Sequence, residues 1–240
     1  MLALSERMLL RLHIEAVWGV KLAPFERDET TLLAESARPD WQLYAADLAE
    51  GRILVWRENL VFAVREALLA RLKEAWSLPV QGPAPPGISR EVAFHLVAEP
   101  EIDLTVARQI ACPLTPEDYA LIEAFQPGAA EAVLRPELQP LLGVVVAGRL
   151  LSLAHSSRKT AEACELGIDT LPEARRRGYA LAATVAWSAA IGEEGLTPLY
   201  SAFAENSASL RLAVAAGYRQ FARAVTIELP LFVPRVGSSV

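Results

Sequence analysis

Four prolines and two glycines fall within nine residues, Pro79 to Gly87 (PVQGPAPPG). Proline fixes its own φ and donates no backbone hydrogen bond, so neither a helix nor a sheet interior can run through such a stretch. The segment reads as a linker that cuts the chain into a shorter and a longer piece. Single cores commonly hold about 100 to 150 residues, so two domains are expected in 240: residues 1–87, linker included, and residues 88–240.

Composition places both pieces among ordinary folded domains, with 52% hydrophobic and 22% charged residues. A net charge of -6 excludes a general nucleic-acid binder, whose affinity comes from clustered Lys and Arg. The first fifteen residues carry Glu6, Arg7, Arg11 and Glu15 where a secretory signal needs an uninterrupted apolar core, so they read as an amphipathic helix. The apolar run Leu181 to Ile191 is shorter than the roughly 20 residues of a membrane span, and no span is expected. Cys112 and Cys164 stand far apart with no metal-ligand spacing, which signals neither a disulfide framework nor a zinc site and suits a reducing cytoplasm.

Before the linker, Leu2 to Val17 and Thr30 to Ala37 look helical. WQLYAADL and RILVW alternate as two strands around Glu50-Gly51, and a helix is expected from about Leu60 to Trp76. After it, EVAFHLVAE and LTVARQIAC have strand character. Thr115, Pro116 and Asp118 then supply the N-cap, the first-turn proline and the acidic residue that open a helix. LGVVVAGRLLSLAHSS reads as a hairpin around Ala147-Gly148, and ACELGIDT as the next strand. A helix from Arg177 or Gly178 to about Glu194, a strand PLYSAFA, a helix from Ser207 to Ala216 and a strand pair in YRQFARAVTIELPLF complete the order.

Two segments point to chemistry. In Thr170-Leu171-Pro172-Glu173-Ala174-Arg175-Arg176-Arg177-Gly178-Tyr179-Ala180, a strand enters a basic, glycine-containing turn and then a helix. The unpaired N–H groups and partial positive charge of a helix start favour a phosphate, and a glycine lets the backbone approach it closely. A solvated basic surface explains the same residues. In the second segment, Asn206 opens a helix with Ser209 at its third position, and Gly217 followed by Tyr218 closes it. Plain capping accounts for that segment too.

Together, in this order, the two segments resemble the GNAT superfamily of N-acetyltransferases, over residues about 104–230. Arg175, Gly178 and Ala180 match its hallmark of Gln or Arg, two residues, Gly, one residue, then Gly or Ala. Asn206, Gly217 and Tyr218 match its later signature. The resemblance implies an α/β fold of the α+β kind, with a mixed, mostly antiparallel sheet flanked by helices and a small mixed α/β region ahead of it. It implies acetyl-CoA as acyl donor and direct transfer to a primary amine on a small molecule, peptide or protein. It places the backbones of Ile168 and Thr170 along the pantetheine arm between splayed strands. The N–H groups of Arg176, Arg177, Gly178, Tyr179, Ala180 and Leu181 bind the pyrophosphate, with Arg175 beside them and with Asn206 and Ser209 near the CoA arm.

Glu165, on the strand before the turn, takes the place where many members of the superfamily put a general base, and Asp169 shares its parity. His155 could face the acceptor pocket. A solvent-facing Glu and a structural His are the plain alternatives. The later helix carries Ala213 where many members have an acidic tyrosine. That departure keeps a second reading open, a silent acyl-CoA-binding or regulatory module. A different nucleotide-binding α/β protein lacks support, since neither GxGxxG after a first strand nor GxxxxGK[ST] occurs. A homodimer is compatible with this reading; nucleic acid, membrane and metal are not expected.

Overall fold

The structure, a computed structural model, describes residues 4–34, 39–77 and 84–229. In chain order its elements are α1 (Glu6–Trp18), β1 (Glu29–Thr31), β2 (Leu43–Leu48), β3 (Gly51–Trp56), α2 (Phe62–Ser77), β4 (Ile88–Leu96), α3 (Leu104–Ile110), β5 (Cys112–Pro113), α4 (Tyr119–Phe125), α5 (Ala130–Val133), β6 (Leu142–Val146), β7 (Arg149–Lys159), β8 (Ala163–Thr170), α6 (Tyr179–Glu193), β9 (Thr197–Phe203), α7 (Ser207–Ala215) and β10 (Tyr218–Ile227).

Local chemistry accounts for most of these boundaries. Ser5 Oγ accepts from the Met8 N–H to start α1, and Gly19, at φ 62°, ends it in the left-handed conformation. Thr115 and Asp118 form a reciprocal capping box ahead of α4. Ala147 and Gly148 both take positive φ, the twist a tight hairpin between β6 and β7 requires. Three readings are corrected. LTVARQI is the helix α3 and not a strand, because Asp103 accepts from the Thr105 N–H and the small, fully buried Ala107 lets the turn pack closely. Glu29–Thr31 is a strand, paired with β3 in parallel, where a helix was expected from Thr30. The carboxy-terminal strand pair is one long strand, β10, bulged between Gln220 and Ala222. Residues 79–83 of the Pro-rich segment and residues 35–37 lie outside the described residues.

All ten strands form one sheet in the order β1-β3-β2-β10-β4-β9-β8-β7-β6-β5. It is mixed but mostly antiparallel, with β1–β3 and β8–β9 the parallel pairs. The segments before and after the linker share it, since β2 pairs with β10 from Leu43↔Ile227 to Asp47↔Arg223.

On one face, α1 packs Leu9, Leu10 and Ile14 against Tyr44, Ala46, Ala93, Ala163 and Leu199 of four strands. The other face carries α3, α6 and α7 over Val92, Phe94, Ala154 and Leu166, and α2 over Leu43, Ala45 and Val225. Helix α6 is buried from Ala182 through Ser188, as an alanine-rich helix apolar on every side should be. Among the described residues no helix is long and apolar enough to cross a membrane.

Candidate active site

The parallel neighbours β8 and β9 pair only at Ala163↔Thr197, Cys164↔Pro198 and Glu165↔Leu199, although β8 runs on to Thr170 and β9 to Phe203. Beyond Glu165 the two strands part, and each leaves a row of backbone groups facing a gap. Such groups need partners when shielded from water. A cleft of about 350 Å³ opens there, with Leu166 and Ile168 on one wall and Tyr200 to Phe203 on the other. An extended chain carrying amides could lie in it as a substitute strand.

The turn after β8 is built to meet an anion. Leu171 N–H donates to Leu151 O, one 3-10 turn spans Pro172–Ala174, and Arg176 (φ 63°) and Gly178 (φ 79°) both take left-handed φ. Gly178 is the N-cap of α6 and gives no side-chain cap; the first helical bond there is Ala182 N–H to Gly178 O at 2.9 Å. The N–H groups of the first turn therefore have no acceptor within the helix. Arg175, Arg176, Arg177 and Gly178 are exposed, and the space beside Gly178 is open.

Asn206 Oδ1 accepts from Ser209 N–H at 3.1 Å, and Ser209 Oγ lies 2.7 Å from Tyr200 Oη. All three residues line the cleft. Burial is the main reason the Tyr200 phenol is pushed up to about 12, so it stays protonated at neutral pH. Ala213 is fully buried in the core beneath α7 and offers the cleft nothing. Burial likewise pushes the Cys164 thiol up to about 11, which disfavours the thiolate a nucleophile needs.

Glu165, at the last paired position of β8, is 4% exposed and belongs to a charged cluster that the sequence did not announce. His13 of α1, with no exposed surface, places Nε2 3.0 Å from Glu91 Oε1 of β4 and Nδ1 3.7 Å from Glu165 Oε2. The first is a hydrogen bond and the second a charge contact. Tyr44 of β2 donates to the same Glu91 Oε1 at 2.6 Å. Burial alone would lower the His13 pKa, but Glu165 and Glu91 outweigh it and raise it to about 10, so the ring is an imidazolium at pH 7. Glu91 is pulled the other way. Its burial favours the neutral acid, yet His13 and Tyr44 hold it below the usual carboxylate range.

His155 and Asp169 sit on the same face of β7 and β8 as Glu165 but outside the cleft lining. His155 pairs with Gly167 across the sheet, and its ring covers the space a side chain at 167 would need. Burial lowers its pKa. Asp169 is exposed near the end of β8. Thr170 Oγ1 bonds Ser152 Oγ at 2.8 Å. Sequence reasoning missed His13, Tyr44, Glu91 and Tyr200. The available signal was a histidine on the apolar face of α1 and a glutamate on the buried parity of β4.

A sheet with two parallel neighbours parted around a cleft, beside a helix whose first-turn amides are unclaimed, is the framework of the GNAT fold. Residues 142–224 match the model of the GNAT acetyltransferase family. Among solved structures, a GNAT-family acetyltransferase from Colwellia psychrerythraea is 15% identical, with a TM-score of 0.51 over 73% of this chain and 76% of that one. A GCN5-related N-acetyltransferase-like protein from Streptococcus suis is 16% identical, with a TM-score of 0.46 over 87% and 83%. AAC(6')-Iy in complex with a CoA-containing bisubstrate analogue is 18% identical, with a TM-score of 0.39 over 46% and 90%. At 15% identity the likeness to the Colwellia protein is one of fold. No curated protein matches the chain in sequence.

Proposed function

We propose that the protein transfers acetyl from acetyl-CoA directly to a primary amine. The observation that carries this is the parting of β8 from β9 after Glu165, immediately before the open amide turn at Gly178. In this reading the pantetheine arm takes the unpaired edge of β8 at Ile168 and Thr170. The pyrophosphate sits on the N–H groups of Arg176 to Leu181, with Arg175, Arg176 and Arg177 adding charge around it, and Asn206 and Ser209 border the arm. Helix-start amides and the helix dipole favour such an anion.

Transfer forms the N–C bond and breaks the C–S bond. The acceptor ammonium sheds two protons, of which one ends on the CoA sulfur and one on a carboxylate or solvent. Glu165 is the candidate base, with Asp169 and His155 on its face of the sheet, and the Tyr200 phenol is the group placed to protonate the thiolate. No acyl-enzyme is invoked, in keeping with the raised Cys164 thiol.

A second reading, a silent acyl-CoA-binding module, is favoured by one observation: Ala213 puts no hydroxyl into the cleft. We divide the labour at about Gly87, with residues 88–240 holding the donor and residues 1–87 covering the acceptor side, where Val17 and Trp18 line the cleft. Two free cysteines, one of them exposed, fit a reducing compartment, and we place the protein in the cytoplasm.

Calorimetry with acetyl-CoA tests the donor site. Gly178→Glu puts a carboxylate and a strained φ where the diphosphate binds, and binding should fall by about 100-fold or more. Unaltered binding would overturn the site. CoA thiol release on adding amines separates the enzyme from the silent module.

A further inference from the structure

The cleft contains one charged lining side chain among the described residues, and it comes from neither signature motif. Building on the transferase reading above, we propose that Glu91 receives the acceptor's ammonium group, that His13 is the positioning residue that holds Glu91 for this task, and that the acceptor is a primary amine on an apolar, ring-sized body.

The geometry separates the two oxygens of Glu91. Oε1 takes both the His13 and the Tyr44 hydrogen bonds. Oε2 has no hydrogen-bond partner among the described residues, so one oxygen is anchored and the other is left for a ligand. The side chain is 14% exposed, against 6% for Glu165, and only Glu91 of the two lines the cleft.

The cluster of Glu91, His13 and Glu165 sums to one negative charge when His13 is an imidazolium. A cation entering the cleft restores neutrality, whereas an anion or a neutral alcohol does not. The groups facing His13 are Glu91 from β4, Glu165 from β8 and the edge of Phe221 from β10, with Tyr44 of β2 acting through Glu91. On its own helix the nearest charged pair, Arg11 and Glu15, is turned toward Leu22 and Lys21. Among the described residues, Glu91 and Glu165 are the charges that act on His13. Val17, Trp18 and Phe203 supply apolar walls beside Glu91, the surroundings a ring or short aliphatic body prefers.

The arrangement also gives the proton a route. The ammonium N–H breaks as Glu91 Oε2 gains the proton. Glu91 gives that proton up to solvent at the mouth of the cleft, while His13 keeps both ring protons and goes on holding Glu91 Oε1. The neutral amine attacks the thioester, and the nitrogen's second proton is matched by the one the thiolate gains.

The test uses the full chain, with and without acetyl-CoA, and compares phenethylamine with its uncharged analogue 2-phenylethanol by ligand-detected NMR titration at pH 7. Wild type should hold the amine at least about tenfold more tightly, the scale of a charge-assisted hydrogen bond. In Glu91→Gln that preference should fall to within about twofold, while acetyl-CoA affinity stays unchanged. Glu91→Asp should recover part of it. His13→Gln should weaken the amine and spare the alcohol, a selectivity that general damage to the cleft would not produce. Equal binding of amine and alcohol by wild type, which needs no variant to fold, overturns the inference, as does a preference that survives Glu91→Gln. Failure of wild type to bind acetyl-CoA instead removes the transferase reading, and the amine-to-alcohol ratio of the free protein still decides the role of Glu91.

Discussion

His13 shows how much one residue can depend on partners far away in sequence. Without Glu91 and Glu165 a fully buried histidine would titrate low; with them it is raised to about 10. A group whose folded pKa exceeds its ordinary 6.5 stabilises the fold fully below that value, and the contribution is lost as pH rises through about 10. Chemical denaturation should therefore show stability declining between those limits, with the decline absent in His13→Gln. At neutral pH that variant leaves two buried carboxylates without their cation and should cost about 3–5 kcal/mol. Such a cluster is hard to foresee. A histidine inside LLRLHIE is one more residue of an apolar helix face until the fold supplies its partners. Only contact between α1, β2, β4 and β8 gives either of them a partner.

At the level of elements, the legible ones were those with their own start and stop chemistry. Helix α7 is bounded by Asn206 and Gly217, and Asn206 makes the cap that its identity promised. Asn206→Ala should destabilise the protein by about 1 kcal/mol in a thermal melt, the usual worth of an N-cap. If Asn206 also borders the pantetheine arm, the same variant should weaken acetyl-CoA binding, whereas Asn206→Ser should restore the cap alone. The short pieces were less legible. Helix α3 contains Thr105, Val106 and Ile110, whose branched side chains favour strands, yet Arg108 pairs with Glu193 and Ala107 packs in the core shared with α6. Tertiary packing overrides weak propensity over seven residues. The three-residue β1 has the opposite history, drawn into the sheet by pairing with β3.

For the whole molecule the decisive feature is the continuous sheet. Strand β10 lies between β2 and β4, and α1 covers strands that belong to the segment after the linker. Removing residues 1–87 would strip β10 of its partner from Arg223 to Ile227 and expose the apolar surface under α1. An unpaired edge and an uncovered face promote aggregation, so the truncated chain should elute as aggregate in size-exclusion chromatography. A soluble monomer that still binds acetyl-CoA would show that the second segment folds alone. The resemblance to a family fold, the capped helices, the β6–β7 hairpin and the amide turn were all readable along the chain, because each rests on short motifs of neighbouring residues. The joining of the two segments in one sheet, the parting of β8 from β9, and the meeting of His13, Tyr44 and Glu91 with Glu165 were decided only by the folded structure. They depend on pairings across 34 to 184 positions, and local propensity carries no record of which distant strand a strand will choose.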